Sequence, residues 1–183
     1  MKEISLNILD IAENSCKAGA TLTRIELFED DTTLSVKISD DGCGMTPEIL
    51  QNVVNPFYTT RTTRSVGLGI PLFKEAAEQT GGSFSITSRD EKSHPDDHGT
   101  ETAASFLKGH IDCMPLGDIV ASVVTLIGGH PDTDFFFCHR REGKTDVTLD
   151  TRELRAVLGD VSLAEYEVIN WIREYLTEQY NNA

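Results

Sequence analysis

The sequence predicts an α+β protein in two layers, a sheet covered by amphipathic helices, and three observations predict it. Residues 21–28 (TLTRIELF) and 33–40 (TLSVKISD) alternate apolar and polar side chains, the period of half-buried strands. Glu29-Asp30-Asp31 between them supplies a hairpin turn. Helix-forming stretches flank this hairpin, ILDIAENSCKAGA (8–20), which stops at Gly19, and IPLFKEAAEQTGG (70–82), which is closed by glycine. Antiparallel pairs segregated from helices read as an α/β sandwich of the α+β class.

The elements follow in order. In the first helix Asp10, Asn14 and Lys17 stand at intervals of four and three and form a polar stripe. Leu6, Leu9, Ala12 and Cys16 are expected to form the neighbouring apolar stripe. TPEILQNVV (46–54) opens a short helix with Thr46 as N-cap and Pro47 at its first position. Residues 55–69 (NPFYTTRTTRSVGLG) have no periodicity and read as a loop. SFSITS (83–88) and TETAASFLK (100–108) read as strands around the polar connection RDEKSHPDDHG.

Residues 109–183 read as a second, smaller α+β unit after a first domain at 1–108. LGDIVASVVTLIGG (116–129) has the spacing of a buried helix, and DFFFCHRREGKTDVTLD (134–150) reads as a hairpin turning near Glu142-Gly143. That hairpin must lie on the helices or extend the main sheet, because an isolated one is marginal in water. Asp150 and Glu153 cap a short helix. Ser162 and Glu165 form a capping box for a last helix reaching Tyr180, with Tyr166, Ile169, Ile172 and Leu176 on its apolar side. This unit carries no chemistry-bearing motif and is expected to be regulatory or partner-binding.

The formal net charge is −14, divided evenly at −7 on each side of residue 108. Such a surface repels DNA, RNA and anionic lipid, so no nucleic acid and no membrane are expected as partners. No apolar run of eighteen residues and no cationic leader pattern is present. The four cysteines (Cys16, Cys43, Cys113, Cys138) are scattered without CxxC, which fits reduced thiols in a cytoplasm.

Two glycine-rich features carry the chemistry. DDGCGM (40–45) ends a strand, and Gly42 and Gly44 let the backbone turn and approach a flat ligand. Asp40 there can accept a hydrogen bond from an exocyclic amine; an ordinary turn is the other reading, and Lys37 excludes a calcium loop. VGLGI (66–70) leads Gly67, Leu68 and Gly69 into a helix, where backbone amides and the helix dipole suit an anion. From Ile49 to Phe73 there is no Asp or Glu, in a chain with thirty of them, while Arg61 and Arg64 fall inside. An arginine-bearing, carboxylate-free loop suits a triphosphate; a flexible polar loop is the plainer reading.

In this order the pieces resemble the ATP-binding domain of the gyrase, Hsp-type chaperone, histidine kinase and MutL superfamily (GHKL, the Bergerat fold), over residues 1–108. The resemblance implies ATP and Mg2+ as cofactors. It matches Asn14 in ENSCKAGA to a magnesium-binding Asn, and Asp40 in DDGCGM, with Gly42, Gly44 and Met45, to the adenine box. It matches Phe57, Thr59 and Thr60 in NPFYTT, with Arg61, to the start of an ATP lid, and Gly67-Leu68-Gly69 to its end. Gly99-Thr100 matches a late GT near the adenine. Lys17 reaches a phosphate or is a solvated helix-end lysine. Asp10 falls where ATPases of the superfamily place a water-activating Glu and is the one candidate catalytic residue.

The resemblance implies a kinase or regulator of the histidine-kinase or anti-sigma type, acting on a separate protein partner. A nucleotide-gated binding module and a slow MutL-like ATPase are the other readings, and a homodimer is compatible with each. The helix pair with a phosphoacceptor His that the resemblance to histidine kinases leads one to expect is not found in residues 1–183. His94 and His98 are expected to be solvated loop residues.

Overall fold

The computed structural model describes residues 2–54 and 68–183. The elements are α1 (Ile4–Lys17), β1 (Leu22–Glu29), β2 (Thr33–Asp40), α2 (Pro47–Val53), α3 (Gly69–Gln79), β3 (Phe84–Arg89) and β4 (Gly99–Leu107), then α4 (Ile119–Gly129), β5 (Asp134–Arg141), β6 (Val147–Asp150), α5 (Thr151–Leu158) and α6 (Tyr166–Asn182). The strands form one mixed sheet in the order β3-β4-β2-β1-β5-β6. All pairings are antiparallel except β1–β5, which runs parallel from Leu22↔Asp134 to Glu29↔Arg141.

Alternation decides which face is covered. Ile25, Leu27, Leu34, Val36, Ile38, Ala104, Phe106, Phe135 and Phe137 are buried on one face, against α1, α3 and α4. On the other face Glu26, Ser35, Lys37, Ser85, Ala103 and Arg140 line an open concavity of about 420 Å³. One covered face and one open face make the two-layer α+β sandwich that the patterning predicts.

The helices obey their period more strictly than the sequence reading allowed. The buried stripe of α1 is Ile4, Ile8, Ile11, Ala12 and Ser15. Leu6, expected inside, is 40% exposed, and Leu9 and Cys16 are only half-buried. The polar stripe and the apolar one are therefore offset by more than a quarter turn, at ~100° per residue, and Ser15 belongs to the buried side. In α6 the inward residues are Val168, Ile172 and Leu176, whereas Tyr166 stays 77% exposed. The expected capping box also falls early: Ser162 closes a preceding turn onto Ala164 N–H at 3.2 Å, and α6 begins after Glu165. Thr46 and Asp150 do cap their helices, accepting from Ile49 and Arg152 N–H, and Asp118, which the sequence reading did not single out, caps α4 through Ala121 N–H.

Residues 109–183 share the sheet and the core of residues 1–108. β5 takes the free edge of β1, and α4 packs Val123, Val124 and Ile127 toward α1. At the far end of the strands a polar cluster ties α6 to the sheet. His139 is 1% exposed. Its Nδ1 is 2.7 Å from the Tyr180 hydroxyl, and its Nε2 is 3.2 Å from Glu29 Oε2 without hydrogen-bond alignment. Lys108 Nζ reaches Glu29 Oε1 at 2.7 Å. Burial holds the His139 imidazole below its ordinary 6.5, and Glu29 nearby only partly offsets this. Burial works against the Glu29 carboxylate too, but Lys108 and His139 together hold it below its ordinary value.

Both shifts have one sign. A histidine that resists protonation in the fold takes up its proton more readily in the unfolded chain, so stability falls as pH drops below about 6.5. The Glu29 share is lost only in the more acid carboxylate range. Thermal denaturation across pH 4–8 should show both losses, and His139→Phe should abolish the first while keeping the second. An equally steep fall between pH 6.5 and 5 in that variant would remove His139 from the role. Cutting the chain after residue 108 would strip β5 from β1 and leave an eight-residue edge unpaired above an uncovered α1. The 1–108 fragment should therefore lose cooperative unfolding; a sharp transition by calorimetry would show it to be self-sufficient.

Candidate functional site

The site is built where β2 ends. Asp40 is the last residue of β2, and its carboxylate is held by three donors. The Ser15 hydroxyl donates to Oδ2 at 2.6 Å, Gly42 N–H to Oδ1 at 2.9 Å and Thr100 N–H to Oδ1 at 3.3 Å. A carboxylate has about four acceptor positions. Among the described residues these three donors leave one position, on Oδ2.

Asp40 lines a cavity of about 100 Å³ with Ile11, Asn14, Ser15, Ala18, Ile38, Gly44, Met45, Val53, Ile70, Thr100 and Thr102. Pockets for drug-sized ligands run about 300–1,000 Å³. At about 100 Å³ this one has room for a single ring rather than a drug-sized molecule. Apolar walls with one directional acceptor select a planar ring that presents an N–H donor.

Backbone bonds fix the loop after Asp40. Cys43 N–H donates to the Ala18 carbonyl at 2.9 Å, Glu91 N–H to the Cys43 carbonyl at 3.0 Å and Met45 N–H to Ser88 Oγ at 2.8 Å. Asp41 turns away and accepts Thr21 N–H, Leu22 N–H and the Thr21 hydroxyl. Burial opposes its ionisation, but these donors hold its carboxyl below the usual range. Both glycines are needed here. A Cβ at Gly42 would press on Ala18 Cβ at 2.9 Å, and Gly44 has φ +64°, with the Arg89 carbonyl where a side chain would start.

The second wall comes from α1 and α3. A Cβ at Gly69 would stand 3.2 Å from Asp10 Cβ and 3.9 Å from Asn14 Nδ2. The first turn of α3 thus lies directly on the polar stripe of α1, and its free amides open beside Asp10 and Asn14. Asp10 is exposed, Asn14 half-buried and Lys17 exposed in the last turn.

The family model for the histidine kinase-, DNA gyrase B- and HSP90-like ATPase domain matches residues 1–109. The chain belongs to this family. It is similar to the sensor protein KdpD of Clostridium acetobutylicum, 28% identical over 94 residues, which are 49% of this chain and 10% of that one. It is similar too to the sensor protein SrrB of Staphylococcus aureus, 32% identical over 93 residues, 48% of this chain and 16% of that one. The chain thus spans a small fraction of the length of these relatives. In fold it resembles the Aquifex aeolicus MutL ATPase domain complexed with ADP, with a TM-score of 0.53 and 14% identity over 98% of this chain and 70% of that one.

In this ATPase-family domain Asp10, Asn14, Asp40, Gly42, Gly44, Met45, Gly69 and Thr100 gather around the cavity or its mouth. Lys17 is on the same helix but outside the lining, and Leu68, at the α3 N-cap, is 57% exposed. Phe57, Thr59, Thr60, Arg61 and Gly67 lie outside the described residues. Three participants escaped the sequence reading: Ser15, Ser88 and His98. Ser15 stood beside Asn14 in a motif already singled out, and an inward stripe drawn through Ile11 and Ala12 would have included it. Ser88 and His98 had no sequence signal, because strand pairing alone brings them to the loop. His98 does not point to solvent; its Nδ1 lies 2.6 Å from the Gly42 carbonyl. Cys16 is half-buried, and burial with Glu13 alongside pushes its thiol up to about 11, an inert side chain rather than a reactive one.

Proposed function

We propose that this chain is the ATP-binding domain of a histidine-kinase-like kinase or regulator that acts on a separate protein partner. The observation that carries the ATP reading is Asp40, which lines a ring-sized cavity with aliphatic walls and keeps one acceptor that no described residue fills. Adenine fits it, since its exocyclic amine donates where Oδ2 accepts. Family membership and relatives that are sensor proteins support the same reading.

The remaining roles follow from position. Gly44, Met45 and Thr100 border the base, and Gly69 opens α3 toward the phosphates. By the family resemblance, not by position, Lys17 is assigned to the phosphates and Phe57, Thr59, Thr60, Arg61, Gly67 and Leu68 to the lid. Among the described residues no group of three His, Cys, Asp or Glu side chains could hold a metal. A magnesium ion therefore fits only as the nucleotide's companion, taking one neutral oxygen from Asn14 and the rest from phosphates and water. The ion supplies charge neutralisation on the phosphates when bound. The 109–183 segment is assigned a partner-binding or regulatory role, with Val157, Tyr166 and Trp171 exposed on α5 and α6. We place the protein in the cytoplasm. No described helix is long and apolar enough to cross a membrane.

Asp40→Asn tests the site. The amide keeps an oxygen for Gly42 and Thr100 but turns an N–H donor toward the amine, which costs about 1–3 kcal/mol of ATP affinity. Unchanged affinity by calorimetry would remove Asp40 from base recognition.

Asp10 supports a second reading, slow hydrolysis by the protein alone. Its carboxylate lies at the α3 amides where a water can be polarised. Asp is one methylene shorter than the Glu of the ATPase branches, and about 1 Å of misplacement can cost on the order of a hundredfold. Phosphate release should then rise in Asp10→Glu and vanish in Asp10→Asn; a rate indifferent to both leaves Asp10 structural. Label from ATP appearing on a co-purified partner supports the kinase instead, and nucleotide-dependent capture without label supports a gated binding module.

A further inference from the structure

We propose that His98 is a positioning residue for base recognition: it clamps the peptide unit between Gly42 and Cys43 and thereby sets the cavity floor beside Asp40. The inference rests on the adenine reading of Asp40.

The clamp is two-sided. On one side His98 Nδ1–H donates to the Gly42 carbonyl at 2.6 Å. On the other, the N–H of the same peptide unit, that of Cys43, donates to the Ala18 carbonyl at the end of α1 at 2.9 Å. With both ends bonded, this peptide cannot rotate. Its neighbours inherit the restraint. Gly42 N–H must point at Asp40 Oδ1, and Gly44 and Met45 must follow into the cavity wall. A loop with two glycines has the most rotational freedom to lose, so external fixation matters more here than elsewhere.

His98 is in turn held by its own connection. The β3–β4 loop pairs Arg89 with Asp97, caps Asp90 onto Ser93 and bonds Glu91 N–H to the Cys43 carbonyl. Residue 98 then sits one place before Gly99, where β4 begins and Thr100 N–H reaches Asp40. The segment that appeared to be a polar linker is thus a strap over the base loop. Its second point of attachment is a side chain, which substitution can remove without disturbing the backbone.

Loss of one such hydrogen bond should weaken ATP binding roughly 3- to 10-fold. Which nitrogen acts can be read directly, because Asn places its amide nitrogen near the Nδ1 position and Gln places it near Nε2. The expectation is that His98→Asn binds ATP within about twofold of the parent, while His98→Gln and His98→Phe bind several-fold more weakly, with melting temperatures of all three close together. His94→Ala, an exposed histidine on the same loop, serves as control and should bind like the parent. ATP affinity unchanged in His98→Phe, or His98→Asn no better than His98→Gln, overturns the proposal. Should His98→Phe fail to fold, the Asn and Gln pair still decides. Asp40→Asn measured alongside separates the two readings. If it loses affinity while the His98 variants do not, the clamp alone is wrong; if it too binds normally, the base reading falls first.

Discussion

The structure depends on satisfying one carboxylate. A half-buried carboxylate at the end of a central strand needs hydrogen-bond donors, because a polar group left without partners there costs free energy. Asp40 meets that requirement with donors from three separate elements: Ser15 of α1, Gly42 of the loop and Thr100 of β4. Each bond fixes one element relative to β2. The same carboxylate lines the cavity and keeps an acceptor that no described residue fills. On the proposed reading stability and recognition share one group, so the strand end cannot be altered for either without touching the other.

Much of the fold was legible because its elements are local. The hairpin of β1 and β2 follows from alternation. Thr46 and Asp150 follow from capping chemistry that acts within four residues. What escaped was set by tertiary contact. Leu6 is the exception, because the period alone excludes it: two residues from both Ile4 and Ile8, it stands on the far side of the helix from the stripe of Ile4, Ile8 and Ile11. Ser162 and Glu165 have the spacing of a capping box, yet Ser162 caps a turn and the helix waits until Tyr166.

The site divides in the same way. Asp40, Gly42 and Gly44 announce themselves because a strand followed by two glycines has few uses. Gly69 against Asp10 and Asn14 was foreshadowed by glycine at a helix start. Ser88 reaches Met45 across the β3–β4 pairing, 43 residues away in sequence. His98 reaches Gly42 across 56. Polar loops look alike in sequence whether they wave in water or strap a site, and only the register of β4 on β2, Thr100 opposite Asp40, turns one into the other.

The place of residues 109–183 follows from α1. One side of that helix carries Asp10, Asn14 and Lys17; another packs against α4, where Glu13 meets His130 Nε2 at 3.0 Å at the helix end. Asp134 N–H also donates to the Thr21 carbonyl at 2.9 Å, beside the Thr21 that holds Asp41. The C-terminal elements thus brace the back of the helix and loop whose fronts form the site. A load on α4 or β5 meets the same backbone that positions Asn14 and Asp41, with no flexible joint between. Contact of this kind is a route, not a switch, because switching needs an element with two arrangements of similar energy. The packed α1–α4 face is poorly suited to that, since close-packed interiors do not deform continuously. A partner docking on α5 and α6 would therefore act on this site by restraint: holding α1 and the β1 start where they already stand, and so favouring the nucleotide-ready loop.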